Sequence, residues 1–405
     1  MSLRRKLLVI AGVYVIEGFP MGIFRDLWPV YFRDHGVSLA TIGAVSGLYL
    51  AWSVKPLWSP LVDRFGERRQ WIGAALVAMA ASLLILPVLG LERFDARLWA
   101  VLIAFCAASA TQDIAIDAYT IGLVEHGEEG PANSARIIAY RIGLIAAGGV
   151  LLLLPSQIGW TTSFGVAAAL LAVMAAGALF LPRVEVPLEA RRDARGAFRS
   201  WKGRGGVWLV LCFVLLYRVG DLGMAPMLRP FWVDRGLSHQ EMAFISTTLG
   251  AVATMGGAAV GGWIVARLGI GRALILVGIL ALASNLGYAV VAWLPESNRA
   301  GIYTASLVES FCSGLAAAGF LSFLMNICDR SHAAVQYATL TGLYALPGTF
   351  AGAASGVTVE WMGYGAYFAL TAVLALPAFL FLGGARRWID EGVSPAGETR
   401  AGSSE

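Results

Sequence analysis

Apolar runs of about twenty residues recur along nearly the whole chain, separated by short turns rich in charge, glycine and proline. As a helix, each run is about 30 Å long, the thickness of a bilayer's hydrocarbon core, and in that core a helix satisfies its own backbone groups. Twelve such spans are expected near 7–32, 38–60, 71–90, 98–124, 134–155, 161–182, 205–232, 240–265, 272–294, 300–327, 334–357 and 362–382. Composition agrees: 58% of the 405 residues are hydrophobic and only 14% charged, against roughly 25% in a soluble domain. The fold class is an all-α membrane protein embedded in a lipid bilayer, and the apolar stretch after Lys6 is read as a permanent span rather than a cleaved leader.

An even number of spans puts both termini on one side. Segments on that side carry nineteen Lys and Arg against five in the opposite loops, so the positive-inside rule makes both termini cytoplasmic. The one long connection, 183–204, is rich in arginine and lacks an apolar run. It divides the chain into a six-helix bundle over 1–182 and a second over 205–385, followed by a cytoplasmic tail, 386–405. The halves repeat each other. Asp34-His-Gly-Val-Ser38 recurs as Asp234-Arg-Gly-Leu-Ser238, and Asp63-Arg-Phe-Gly66 recurs loosely as Ala266-Arg-Leu-Gly269. A repeat at half-chain period points to a transporter with two pseudo-symmetric bundles and a site where they meet.

Asp63-Arg-Phe-Gly-Glu-Arg-Arg69, between spans 2 and 3, resembles the cytoplasmic loop signature of the major facilitator superfamily, with Ser59 in place of the leading glycine and Glu67 where an arginine is usual. The resemblance implies a gating role for Asp63, Arg64, Gly66 and Arg68. Lys55-Pro-Leu-Trp-Ser-Pro-Leu-Val-Asp-Arg64, Thr111-Gln-Asp-Ile-Ala-Ile-Asp-Ala-Tyr119, Ala139-Tyr-Arg-Ile-Gly143, Gly220-Asp221 and Gln336-Tyr-Ala338 resemble the AmpG-type muropeptide permeases. Acetyl-CoA transporters and siderophore importers are cousins of that family. What this resemblance implies is a proton-driven inner-membrane importer of large polar organic solutes.

Twelve ionisable residues fall inside the expected spans: Glu17, Asp26, Asp113, Asp117, Asp221 and Glu309 against Arg25, Lys55, Arg136, Arg141, Arg218 and Arg229. A charge at the bilayer centre costs about 2.5–3.5 kcal/mol on insertion scales, so this set must pair or line water. Glu17, Asp117, Asp221 and Glu309 recur on spans 1, 4, 7 and 10, the helices that line the central cavity in the superfamily that the chain resembles. Asp113 and Asp117, four residues apart, share one helix face and are the expected proton carriers. Counting from the turn at 125–133, Arg141 sits at the depth of Asp117 and is the expected counter-charge; a static bridge between the two helices is the alternative. Glu17, Arg218, Asp221 and Glu309, with Trp52, Tyr140 and Tyr344 as ring faces, are expected to form the substrate cavity. Arg25, Asp26 and Arg229 read as snorkelling near outer ends, Lys55 as snorkelling or paired with Asp113 or Asp117, and Arg136 as interfacial.

Several classes are excluded. The only lysines, Lys6, Lys55 and Lys202, precede Leu, Pro and Gly, so no Walker motif and no ATP site exists within the sequence. Four scattered cysteines and the lack of His-Glu-x-x-His leave no metal site, no cofactor and no protease chemistry to expect. The basic loop is explained by topology, so no nucleic-acid partner is expected. The sequence therefore reads as a monomeric, non-enzymatic, proton-coupled symporter in the inner membrane, taking a small-molecule substrate and protons. An antiporter exporting a drug or metabolite is the first alternative, and a non-transporting receptor the second.

Overall fold

In the computed structural model, residues 1–91, 94–124, 128–184, 201, 205–295, 298–328 and 333–393 are described. The helices are α1 (Leu3–Asp34), α2 (39–64), α3 (Arg68–Leu89), α4 (Ala96–Leu123), α5 (129–153), α6 (Pro155–Leu179), α7 (Val207–Asp234), α8 (His239–Leu268), α9 (Ile270–Trp293), α10 (Arg299–Ile327), α11 (333–362), α12 (364–380) and α13 (Leu382–Val393). Among the described residues, ten helices are long and apolar enough to cross a membrane. One of them, Thr339–Leu380, holds both α11 and α12, parted at Gly363, and the broken α2 completes the set of twelve. Most of the expected 183–204 linker lies outside the described residues. Residues 386–393 of the expected tail continue α13, which lies along the bundle end with Ala385, Trp388 and Ile389 buried and Arg386 and Arg387 exposed. Trp388 Nε1 donates to Gly205 O at 2.9 Å.

The repeated pentapeptide is the same turn made twice. After α1, Val37 N bonds to Phe32 O at 3.0 Å and Gly36 takes φ +73°; after α7, Leu237 N bonds to Trp232 O at 3.1 Å and Gly236 takes φ +68°. A left-handed residue closing a helix in this way favours glycine, because a Cβ there costs roughly 1 kcal/mol or more. The serine two residues on then caps the next helix: Ser38 Oγ accepts from Thr41 N, and Ser238 Oγ from Glu241 N, each at 3.2 Å. The symmetry continues into the aromatic core. Tyr31 packs on Trp160 and Phe164 with ring centroids 5.0 and 4.7 Å apart, and Phe231 packs on Tyr364 and Phe368 at 5.1 and 5.5 Å.

Proline and glycine shape the helices around the centre. Pro20 lacks the N–H that would bond Ile16 O, and Gln112 Nε2 from α4 donates to that carbonyl instead, at 3.1 Å. Between the bundles, α2 lies directly on α11: a Cβ on Gly43 would stand 2.6 Å from Gly356 N, and one on Gly356 would overlap Leu39 O. Small residues of this kind let membrane helices approach backbone to backbone. This contact joins the two halves near the ends remote from the termini, here called the far face. Gly356→Val should therefore disfavour closure at the far face. Labelling of a Ser46→Cys variant by an impermeant thiol reagent applied to that face should rise several-fold, and unchanged labelling would contradict the packing argument.

Candidate functional site

A cavity of about 560 Å³ lies between the bundles, lined by α1, α2, α5, α7, α8, α10 and α11. That volume is in the range of small-molecule sites. Three π-helical turns form its far-face ceiling: Ile23–Leu27 in α1, Ala146–Val150 in α5 and Ile245–Leu249 in α8. A π turn adds one residue to the helical ladder and redirects the side chains around it. Gly148 leaves room for Asp26, since a Cβ there would meet the Asp26 Cβ at 2.8 Å; Gly149 leaves room for Thr247.

Above this ceiling the halves are latched. Asp26 Oδ1 accepts from Arg229 Nη2 at 2.6 Å and from Nε at 2.9 Å, and the Arg229 guanidinium lies 4.2 Å over the Trp232 ring. The two copies of the repeated aspartate exchange partners. Arg33 of the first half binds Asp234 of the second, while His239 of the second lies 2.6 Å from Asp34 of the first. Trp160 and Tyr364, which directly follow the positive-φ glycines Gly159 and Gly363, hold Asp34 and Asp234 at 3.3 and 2.7 Å. Glu360 Oε1 accepts from Ala40 N at 2.9 Å. Every cross-half hydrogen bond and ion pair found among the described residues belongs to this far-face group. The protein is thus closed toward the far face.

All twelve intramembrane charges fall into two groups. The first lies inside the N-terminal bundle, nearer the termini than the cavity ceiling. Asp117 Oδ1 accepts from Tyr14 Oη and from Arg136 Nη2, both at 2.9 Å, and Arg136 stands 4.7 Å over the Tyr14 ring. Lys55 Nζ lies 3.6 Å from Asp113 and 3.8 Å from Asp117. Glu17 is buried, close enough to both aspartates for their charges to act on it, and its Oε2 has no hydrogen-bond partner. Three carboxyl groups thus share two cations. The second group lines the cavity: Arg25, Arg141, Arg218 and Arg229 with Asp26, Asp221 and Glu309. Arg218 Nη2 lies 3.4 Å from Asp221 and donates to Ser313 Oγ at 3.3 Å.

Of the residues expected from sequence, Tyr140, Arg218, Asp221, Glu309 and Tyr344 line the cavity, and Asp113 and Asp117 share one cluster. Arg141 is not their counter-charge. It opens into the cavity, and Arg136 and Lys55 take the place assigned to it. The cause is helix length: α5 begins at Glu129 rather than 134, so equal depth opposite Asp117 falls five residues earlier. Glu17 and Trp52 are not in the cavity wall either. Glu17 joins the N-terminal cluster, and Trp52 is 8% exposed behind Tyr49 and Phe24, with ring centroids 5.5 and 5.3 Å away. Of the expected gating loop, the Asp63 and Arg64 side chains lie outside the described residues, Gly66 takes φ +69°, and Arg68 Nη1 donates to Val62 O at 2.5 Å. Sequence reasoning missed the latch of Arg33, Asp34, Asp234 and His239, although the repeated aspartate was its visible trace.

Two pseudo-symmetric six-helix bundles around a charged central cavity define a membrane transporter of the alternating-access type. Residues 10–352 match the Major Facilitator Superfamily, and the chain belongs to that family. It is 33% identical over 398 residues to the anhydromuropeptide permease of Escherichia coli (strain K12), covering 94% of this chain and 79% of that one. It is 26% identical over 395 residues to a putative transporter, AmpG 4, of Rickettsia felis, covering 91% and 93%. A bacterial homolog of the human lysosomal transporter Spinster, solved inward-facing and unoccupied, superposes with a TM-score of 0.73 at 14% identity, covering 97% and 99%. The nucleoside transporter NupG superposes at 0.72 with 17% identity, covering 95% and 99%. The protein is accordingly a multi-pass membrane transporter and not an enzyme.

The latch pairs are partly exposed, with side-chain exposures of 17–25%, and exposed ion pairs contribute about 1 kcal/mol or less each. Arg33→Asp should shift the balance between the closed and open far face by about fivefold. Adding Asp234→Arg should restore it by re-forming the pair in reverse. Far-face cysteine labelling measures both, and a double variant as open as the single one would exclude a pairwise latch.

Proposed function

We propose that the protein imports a bulky polar organic solute of the muropeptide or siderophore kind together with a proton, across the inner membrane, with both termini in the cytoplasm. The surplus of arginine on the side of the termini supports that orientation, and the far face is then periplasmic. The observation that carries the coupling is the N-terminal cluster. Glu17, Asp113 and Asp117 face Lys55 and Arg136, one negative charge in excess within the membrane. An uncompensated buried charge costs several kcal/mol, and one bound proton removes it. Protonation also loosens the hold on Lys55 and Arg136, which couples the proton to the packing of α1, α2, α4 and α5. Among the two cargo kinds, the likeness to the Escherichia coli anhydromuropeptide permease favours a muropeptide. The ring faces of Phe24 and Tyr49 in the cavity wall, with centroids 6.4 Å apart, suit stacking of a bulky polar solute.

The test is uptake in proteoliposomes under an imposed inward proton gradient, with labelled anhydromuropeptide and a ferric siderophore compared side by side. Gradient-driven accumulation of one, abolished by a protonophore, is expected. Asp117→Asn should reduce that accumulation at least about tenfold while keeping gradient-free counterflow. Full proton-driven accumulation by Asp117→Asn would sink the coupling role, and uptake driven by an opposite gradient would turn the protein into an exporter.

A further inference from the structure

The cavity holds one positive charge in excess, and its location is specific. Of its four arginines, Arg229 is committed to Asp26 and Arg218 to Asp221. Arg25 and Arg141 make no hydrogen bond or ion pair among the described residues, and both open into the cavity. Their charges repel each other. The remaining carboxyl group, Glu309, has Ser310 Oγ as its hydrogen-bonding neighbour, at 3.4 Å. The ionisable groups facing Arg25 are Asp26, which is turned to Arg229, Glu309, which is near enough for its charge to act on Arg25 without bonding it, and the phenols of Tyr49 and Tyr140.

Both guanidinium groups are exposed to the cavity, where water can hydrate them, but their mutual repulsion remains, and an anion that bridges them removes it. Their placement suits that role. The π turn of α1 sends consecutive side chains to different tasks: Asp26 into the latch and Arg25 into the cavity. From the facing helix α5, Arg141 reaches the same space, with Tyr140 beside it in the cavity wall. A guanidinium presents a planar fork of N–H donors that matches a carboxylate edge to edge, so two forks from two helices can clamp one carboxylate or a pair of them.

We propose that Arg25 and Arg141 form the seat for a carboxylate group of the transported solute, so that the cargo is an anion. The seat deepens the proposed import function and rests on it for its physiological cargo. Occupying the seat cancels the repulsion between Arg25 and Arg141 inside the N-terminal bundle. A neutral solute of the same size has nothing to offer these two charges.

The experiment compares anhydromuropeptide with its carboxamide derivative, in which the free carboxylates are amidated, as substrates of the wild type, Arg25→Gln, Arg141→Gln and Arg25→Lys proteins. In the wild type the acid should be transported with a KM at least about tenfold below that of the amide. Either glutamine variant should raise the KM for the acid by a similar factor with a smaller change in kcat, and leave the KM for the amide nearly unchanged. Arg25→Lys should recover part of the difference, which a purely structural role would not produce. Equal KM values for acid and amide in the wild type would overturn the proposal, as would glutamine variants that still discriminate.

A second arm does not depend on muropeptide being the cargo. Glutarate should raise the Tm of the purified wild-type protein, whereas glutaramide and chloride at matched ionic strength should not. The Arg25→Gln/Arg141→Gln protein should lose the response. Stabilisation of the wild type by glutarate without any uptake of muropeptide would retain the seat and reject the muropeptide cargo. Equal stabilisation by glutaramide, no response to glutarate, or a double variant that still responds would reject the seat.

Discussion

Charge is hard to hold in a membrane, and the disposition of twelve charged side chains organises this protein. Each carboxylate or guanidinium within the bilayer must find an opposite charge, a dense set of hydrogen bonds, or water. Five of the twelve meet inside the N-terminal bundle and seven around the cavity. The helices that carry them have little freedom left: α1 must present Glu17 to α4, Asp26 to α7 and Arg25 to the cavity. It does so with a proline, a substitute hydrogen bond from Gln112 and a π turn in sequence. Departures from regular helix thus gather where the charges need aiming, and the long apolar α3 and α9, far from the cavity wall, have no such turn.

The contact between the halves suits a cycle in which it must break. Glycine against glycine at Gly43 and Gly356 gives close approach with little side-chain interlock, so the surfaces can part without disentangling. The exchanged pairs of Arg33 with Asp234 and His239 with Asp34 are partly hydrated, which keeps each contribution small. The Arg229–Asp26 pair lies deeper, is 15–20% exposed and is stacked on Trp232, so it is the stronger of the three. Several weak bonds that form together can define a closed state and still yield to a change of a few kcal/mol at the cavity below.

Much of the architecture was legible because its cause is local. Hydropathy marks a span within a few residues, and the pentapeptide repeated at Asp34 and Asp234 spelled out a helix-ending turn and a serine cap, which were found twice. The matching aromatic contacts of Tyr31 and Phe231 were hidden, since different loop lengths put Phe164 and Phe368 out of step with the repeat. Site geometry was less legible because depth and direction around a helix both depend on where the helix begins. An early start of α5 by five residues moved the partner of Asp117 from Arg141 to Arg136 and turned Arg141 through more than a third of a revolution, into the cavity. Arg229 and Arg25 read as snorkelling side chains for a similar reason. Nothing in a single helix shows that a carboxylate of the other bundle stands within bonding distance, as Asp26 does for Arg229, or that none does, as for Arg25 among the described residues.

Six acids and six bases make the intramembrane set neutral as a whole, yet its two parts are not. The N-terminal cluster lacks one positive charge and the cavity lacks one negative charge. Electrostatic attraction between the parts across the bundle only partly offsets this, because the surpluses are held at different depths. On the proposed reading, a proton would answer the first deficit and an anion the second, and the pair would bring no net charge. Either alone would leave an unbalanced charge inside the membrane, so the complex carrying both would be electrostatically preferred. Coupling of two solutes can therefore arise without a direct contact between them: α1 carries Glu17 in one site and Arg25 in the other, about 12 Å apart along its axis, and a shift of that helix is felt by both.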